Sequence, residues 1–174
     1  MRLRRELLNS ENVGLAWGFC VSPDSCDNPS YYEEYIRLCA MGDAGTGVAL
    51  THVFIDEDSG KMAGYVSLRT TSLITENEDG NPTVHPSIEI AELSVDKTFE
   101  RNGVGKEMVN FVILTADILR RETIGLKYIA VCADPKAVGF YEKMGFSHVR
   151  EVYQIPRDGW NDNCEPMYIK LPDL

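Results

Sequence analysis

Closely spaced cysteines are missing from this chain: Cys20, Cys26, Cys39, Cys132 and Cys164 are odd in number, and none falls in a Cys-x-x-Cys spacing. That pattern predicts neither a disulfide framework nor a zinc site, and no metal is expected. Long hydrophobic runs are missing too. No segment reaches membrane-spanning length, and the basic N-terminus lacks an apolar stretch of signal-peptide length. The reducing cytoplasm is therefore the expected location, with no membrane partner. Basic charge is scarce, with 17 Lys and Arg against 27 Asp and Glu and a formal net charge of −10. Such a surface repels nucleic-acid phosphate and anionic lipid at long range, so binding to nucleic acid is disfavoured. The one dense basic cluster, Arg2, Arg4 and Arg5, reads as a solvated first strand or terminus. No internal repeat or low-complexity tract interrupts the 174 residues, which suit a single domain over 1–174, large enough to bury a core.

What is present reads as alternating strands and helices. Residues 1–8 fit a short strand or a helical start equally well. Residues 31–41 carry apolar side chains at helical spacing after Pro29-Ser30, and Gly42, Gly45 and Gly47 are expected to end that helix. Residues 48–55 and 62–68 read as a hairpin around Asp56-Glu57-Asp58-Ser59-Gly60. The polar, proline-bearing stretch 75–86 reads as a long loop, a candidate lid on the substrate side. Residues 88–95 form the best strand in the chain. Val104, Met108, Val109, Val112, Ala116 and Leu119 then follow the helical period up to Gly125. A buried strand over 128–133 completes a right-handed parallel unit. Asp134-Pro135 caps a second helix, 136–144, and strands are expected at 147–155 and 167–171.

The turn Glu100-Arg101-Asn102-Gly103-Val104-Gly105-Lys106 lies between the best strand and the long helix. Two glycines two residues apart let backbone amides approach a ligand closely, and the helix end that follows presents unpaired N–H groups to an anion. A third glycine and a following acidic residue, needed for a dinucleotide, are absent, as is the Gly-Lys-Ser/Thr ending of a triphosphate loop.

Three blocks in order resemble the GNAT superfamily of acyl-coenzyme A dependent N-acyltransferases: Leu93-Ser94-Val95-Asp96, the turn from Glu100 to Gly105, and Ala137-Val138-Gly139-Phe140-Tyr141-Glu142-Lys143-Met144-Gly145-Phe146. Each block is weak alone, and together they are specific. The resemblance implies an α+β fold with a mixed, mainly antiparallel sheet, a central splayed pair of parallel strands, and helices on both faces. It implies acetyl-coenzyme A as cosubstrate. Leu93, Ser94 and Val95 would offer backbone groups to the pantetheine arm, and the amides of Arg101, Asn102, Gly103, Val104, Gly105 and Lys106 would hold the pyrophosphate. Glu100 departs from the family, which has Gln or Arg there, and is expected to point away from the phosphates.

Acyl transfer to an amine needs a neutral nucleophile, donors for the developing oxyanion and a proton for the departing thiolate. The Val95 N–H, or that of Leu93, is the expected oxyanion donor. Tyr141, a phenol protonated at neutral pH, is the expected acid. Glu89 and Glu92 are candidate bases on the strand that carries the coenzyme motif; Glu89, which aligns with a glutamate of some family members, is favoured, although a bulge would let either reach the site, directly or through water. His52 and His148 read as packing or surface residues, and so do Trp160 and Tyr153. His85 is the one histidine with a case as a substrate contact.

The resulting expectation is an N-acetyltransferase acting by direct attack on a primary amine of a small molecule or protein, with a cationic acceptor suited to the acidic surface. Two alternatives stand beside it. One is a toxin-type member acetylating aminoacyl-tRNA, and the other is a non-catalytic acyl-coenzyme A sensor. Acceptor, acyl-chain preference and the choice between monomer and homodimer are left open.

Overall fold

The structure, a computed structural model, describes residues 1–149, 152–153 and 163–173. Its elements are β1 (Leu3–Leu7), α1 (Pro29–Glu34), α2 (Ala40–Thr46), β2 (Leu50–Asp56), β3 (Met62–Glu76), β4 (Pro82–Val95), α3 (Val104–Glu122), β5 (Tyr128–Ala133), α4 (Val138–Lys143), β6 (Ser147–His148), β7 (Val152–Tyr153) and β8 (Glu165–Lys170). The sheet order is β1-β2-β3-β4-β5-β8-β6, and β7 pairs with β3. The β1–β2, β2–β3, β5–β8, β6–β8 and β3–β7 pairs are antiparallel, while β4 and β5 run parallel. This is the expected α+β sheet. No helix among the described residues is long and apolar enough to cross a membrane.

The chain divides into two compact units, 1–69 with 91–110 and 70–90 with 111–174. In the first, the ambiguous N-terminus is a strand because β2 offers it a partner, with Leu3 opposite Asp56 and Leu7 opposite His52. Arg4 and Arg5 lie on this strand and Arg2 just before it, with Arg2 paired to Glu57 at 2.5 Å and Arg4 to Glu6 at 3.1 Å. Asn28 caps α1, its Oδ1 accepting the Tyr31 N–H at 3.3 Å, and Pro29 fills the first helical position. The helix does not stop at Gly42. One π-type turn, Tyr35–Cys39, joins α1 to α2, which continues through Gly42 and Gly45 to the left-handed Gly47. The core of this unit gathers Phe19, Tyr35, Ile36, Val53, Ile55, Met62 and Tyr65.

In the second unit, the loop expected at 75–86 is mostly strand. β3 runs to Glu76 and β4 starts at Pro82, so the connection shrinks to residues 77–81, closed by the Asn77 N–H to the Asn81 carbonyl at 2.8 Å. Asn77 Oδ1 also accepts the N–H groups of Asp79 and Asn81. Polarity concealed the strands, whose outer positions are half-buried or exposed. The parallel register joins Ser87 to Tyr128 through Ile90 to Val131, and β4 continues to Val95. Asp134 Oδ1 accepts the Lys136 N–H at 2.9 Å, opening the turn that leads into α4. Of the strand expected over 147–155, the structure describes β6 and β7; Trp160 and much of the expected connection 156–166 lie outside the described residues.

The cysteine reading is corrected here. Cys132 and Cys164 form a disulfide with a Cα–Cα distance of 5.4 Å. Antiparallel pairing of β5 with β8, which sets Cys132 opposite Pro166 and Ala133 opposite Glu165, brings together two residues 32 apart in sequence.

Candidate active site

In the first unit, the end of β4 is anchored before the glycine turn begins. Buried Asp96 accepts the Cys20 N–H through Oδ2 at 2.8 Å and the Thr98 N–H and hydroxyl through Oδ1. The Asp96 N–H reaches the Ala63 carbonyl, and the Lys97 N–H that of Cys20. Ser94 is buried, and Leu93 and Val95 are half-buried. Gly64 allows β3 to approach closely: a Cβ there would stand 2.9 Å from the Ser94 carbonyl oxygen and 3.1 Å from the Met108 side chain.

The turn is built from two left-handed residues, Arg101 (φ 61°) and Gly103 (φ 86°), on either side of Asn102. Alternation of this kind turns successive N–H groups toward one concave side, the geometry of an anion nest. Arg101, Asn102, Gly103 and Lys106 are exposed, and a Cβ at Gly103 would meet nothing within 4 Å. Val104 opens the 19-residue α3 with Val104, Met108 and Val109 buried, so the apolar face of the helix fixes the direction of its N-terminus. Gly105 lies in the first turn of this helix. The residues present therefore fit a phosphate-bearing group. Glu100 is half-buried, and its Oε1 is buried without a hydrogen-bond partner among the described residues.

One residue ahead of Leu93, Glu92 is half-buried, and its Oε1 accepts the Tyr31 hydroxyl at 2.6 Å. Burial first, then the Glu92 charge, pushes the Tyr31 phenol well above its ordinary range. Buried Tyr65 is pushed up by the same two causes. Helical spacing identifies Tyr31 only as a position on a helix; its pairing with a residue 61 positions on belongs to tertiary structure.

In the second unit, Glu89 is 2% exposed and lies opposite Ala130 in the parallel register. Tyr141 on α4 is 4% exposed, edge-on to Phe140 at 5.1 Å and to Phe146 at 5.3 Å. His148 on β6 bridges two carboxylates. Its Nδ1 lies 2.6 Å from Glu165 Oε1 and its Nε2 3.0 Å from Glu142 Oε1, tying α4 to β8. Hydrogen bonds to Glu142 and Glu165 raise its pKa above 6.5. His85 bonds Thr75 Oγ1 through Nε2 at 2.8 Å, and Lys127 Nζ lies 3.3 Å from its Nδ1. Burial and the Lys127 charge lower its pKa. His52 on β2 is half-buried, and desolvation, then Arg5, lowers it to about 4. Among the described residues no three His, Cys, Asp or Glu side chains are grouped to hold a metal ion.

Comparison with known proteins adds an independent line. A solved tyrosine-to-phenylalanine mutant of KacT is similar at a TM-score of 0.76 and 14% identity, over 98% of this chain and 95% of that one. AtaT complexed with acetyl-methionyl-tRNAfMet is similar at 0.69 and 16%, over 95% and 94%. AtaTR bound with AcCoA is similar at 0.66 and 18%, over 97% and 92%. At these identities the likeness is one of fold. The sequence model described as the Acetyltransferase (GNAT) family matches residues 9–146, most of the chain. With that match, a mixed sheet carrying one parallel pair, and a nest of amides opening α3, this chain belongs to the acetyltransferase (GNAT) family and is an acyltransferase.

Proposed function

We propose that this enzyme transfers the acetyl group of acetyl-coenzyme A to a primary amine by direct attack. The observation that carries the reading is the left-handed pair Arg101 and Gly103 immediately before α3, following the anchored end of β4. Backbone N–H groups of Arg101, Asn102, Gly103, Val104, Gly105 and Lys106 hold the pyrophosphate, and the backbone of Leu93, Ser94 and Val95 lines the pantetheine arm. The thioester supplies an activated acyl carbon. Val95 N–H donates to the carbonyl oxygen as charge develops there. Glu92, half-buried and hydrogen-bonded, takes the amine's proton; Glu89, almost fully enclosed, acts only through a relay. The N–C bond forms, the C–S bond breaks, and the Tyr141 hydroxyl gives its proton to the departing thiolate.

The test is calorimetry with acetyl-coenzyme A followed by a thiol-release assay over a panel of primary amines. Micromolar binding with turnover on at least one amine, and loss of turnover with retained binding in Tyr141→Phe, is the expected result. Binding without turnover on any amine would instead favour a sensor.

A second reading, acetylation of an amine on aminoacyl-tRNA, is supported by the fold shared with AtaT complexed with acetyl-methionyl-tRNAfMet. The net charge of −10 weighs against it, because tRNA binding requires phosphate neutralisation. A salt-dependent gel shift of tRNA would favour it, and absence of binding at low salt would end it. We also propose a cytoplasmic location, whichever the acceptor; the Cys132–Cys164 bond counts against it, since structural disulfides are rare there.

A further inference from the structure

We infer that Tyr31 and Glu92 form the receptor for the acceptor's ammonium group, which makes the substrate class a cationic aliphatic primary amine. The inference deepens the acetyltransferase reading and rests on it for the acceptor's role. All the groups involved lie in the first unit. Glu92 stands on β4 directly before Leu93, and the Tyr31 hydroxyl donates to it at 2.6 Å, a charge-assisted bond.

Around this pair the phenol rings are ordered. Tyr31 meets Tyr32 edge-on at 5.3 Å, and Tyr35 stacks on Tyr65 at 6.1 Å. The Tyr65 hydroxyl donates to the Tyr32 carbonyl at 2.8 Å, fixing α1 over β3. The Glu92 charge reaches both Tyr31 and Tyr65, so these rings sit within the field of one carboxylate. A carboxylate set among neutral, electron-rich rings attracts a cation twice, by charge and by the ring quadrupole, and repels anions. A carboxylate has about four acceptor positions, so the Tyr31 bond does not by itself exclude an ammonium.

Access and rigidity favour the same assignment. Tyr31 is 47% exposed, so its ring is reached from solvent. The helix that carries it is held down by Arg37, which donates to the Ala16 carbonyl at 3.1 Å and the Phe19 carbonyl at 2.6 Å, and by Glu33, which accepts the Val21 N–H at 2.9 Å. A cation docked on Glu92 has the proton acceptor for its own activation already in contact. Tyr31 is then a positioning residue that holds the Glu92 carboxylate and closes one side of the cation site.

The test separates this role from a merely structural bond between α1 and β4. In Tyr31→Phe, the KM for the amine should rise about tenfold, with the KM for acetyl-coenzyme A unchanged and the circular dichroism spectrum retained. An unchanged amine KM, or equal rises for both substrates, overturns the inference. Tetramethylammonium, titrated into the acetyl-coenzyme A complex and read by tyrosine fluorescence, gives an arm independent of turnover. It should perturb the wild-type protein and leave Tyr31→Ala and Glu92→Gln unperturbed. No perturbation of the wild-type protein overturns the cation site. If no amine is turned over but this titration succeeds, the cation site stands and the acetyl-transfer reading falls.

Discussion

Asp96 Oδ2 accepts the backbone N–H of Cys20 at 2.8 Å, joining two positions 76 residues apart immediately before the glycine turn. Its other oxygen holds Thr98, so one buried carboxylate satisfies three donors. Asp96→Ala should lower stability by about 1–3 kcal/mol, because two part-buried N–H groups and a hydroxyl lose a charged acceptor. Urea denaturation would measure that loss, and calorimetry should show weaker acetyl-coenzyme A binding as the end of β4 loosens.

Gly64→Ala should destabilise the protein by about 1–3 kcal/mol through overpacking. The added carbon would stand 2.9 Å from a backbone oxygen, that of Ser94, which cannot swing aside as a side-chain tip can. Gly42→Ala, which meets nothing within 4 Å, is the control and should be neutral or stabilising. Equal denaturation midpoints for the two variants would contradict the close approach of β3 to β4.

His148 and His52 should give opposite pH dependences. The His148 pKa is raised by Glu142 and Glu165, so its contribution is complete below the unfolded value of 6.5 and is lost as pH rises through the higher folded value. The His52 pKa is lowered to about 4, so its contribution is complete above 6.5 and is lost as pH falls toward 4. Solvent screening reduces that loss, because His52 is only half-buried. Urea midpoints from pH 4 to 9 should show His148→Gln converging with the wild-type protein at high pH. His52→Gln should lose its share of the acid sensitivity.

Reduction of Cys132–Cys164 should lower stability by roughly 3–4 kcal/mol, the chain-entropy value for a loop of this length. Thermal melts with and without dithiothreitol would show it, and Cys132→Ser should match the reduced protein. A melting temperature insensitive to reductant, with five titratable thiols in the denatured protein, would show that the bond does not form.

Sequence alone carried the central architecture. Apolar periodicity placed α3 and β5, and Asp134-Pro135 placed the start of the segment bearing Tyr141, because capping and burial are local or evenly spaced signals. The same signals failed at residues 75–86, where half-exposed strands carry polar side chains and prolines. They failed again at Gly42 and Gly45, which lie exposed inside a helix that runs on to the left-handed Gly47. Of the candidate site, the motif spacing of Leu93, Ser94, Val95 and the glycine turn was readable. The left-handed backbone of Arg101 was not, since a non-glycine residue gives no sign of it.

What the sequence determined by itself, then, was the family, the glycine turn and the candidate carboxylates, because each is written in residues a few positions apart. Only the tertiary structure decided that Glu92 meets Tyr31 while Glu89 is enclosed, that Cys132 finds Cys164, and that His148 lies between two glutamates. Those pairings depend on strand register and helix placement across dozens of residues, and no local pattern of side chains encodes that information.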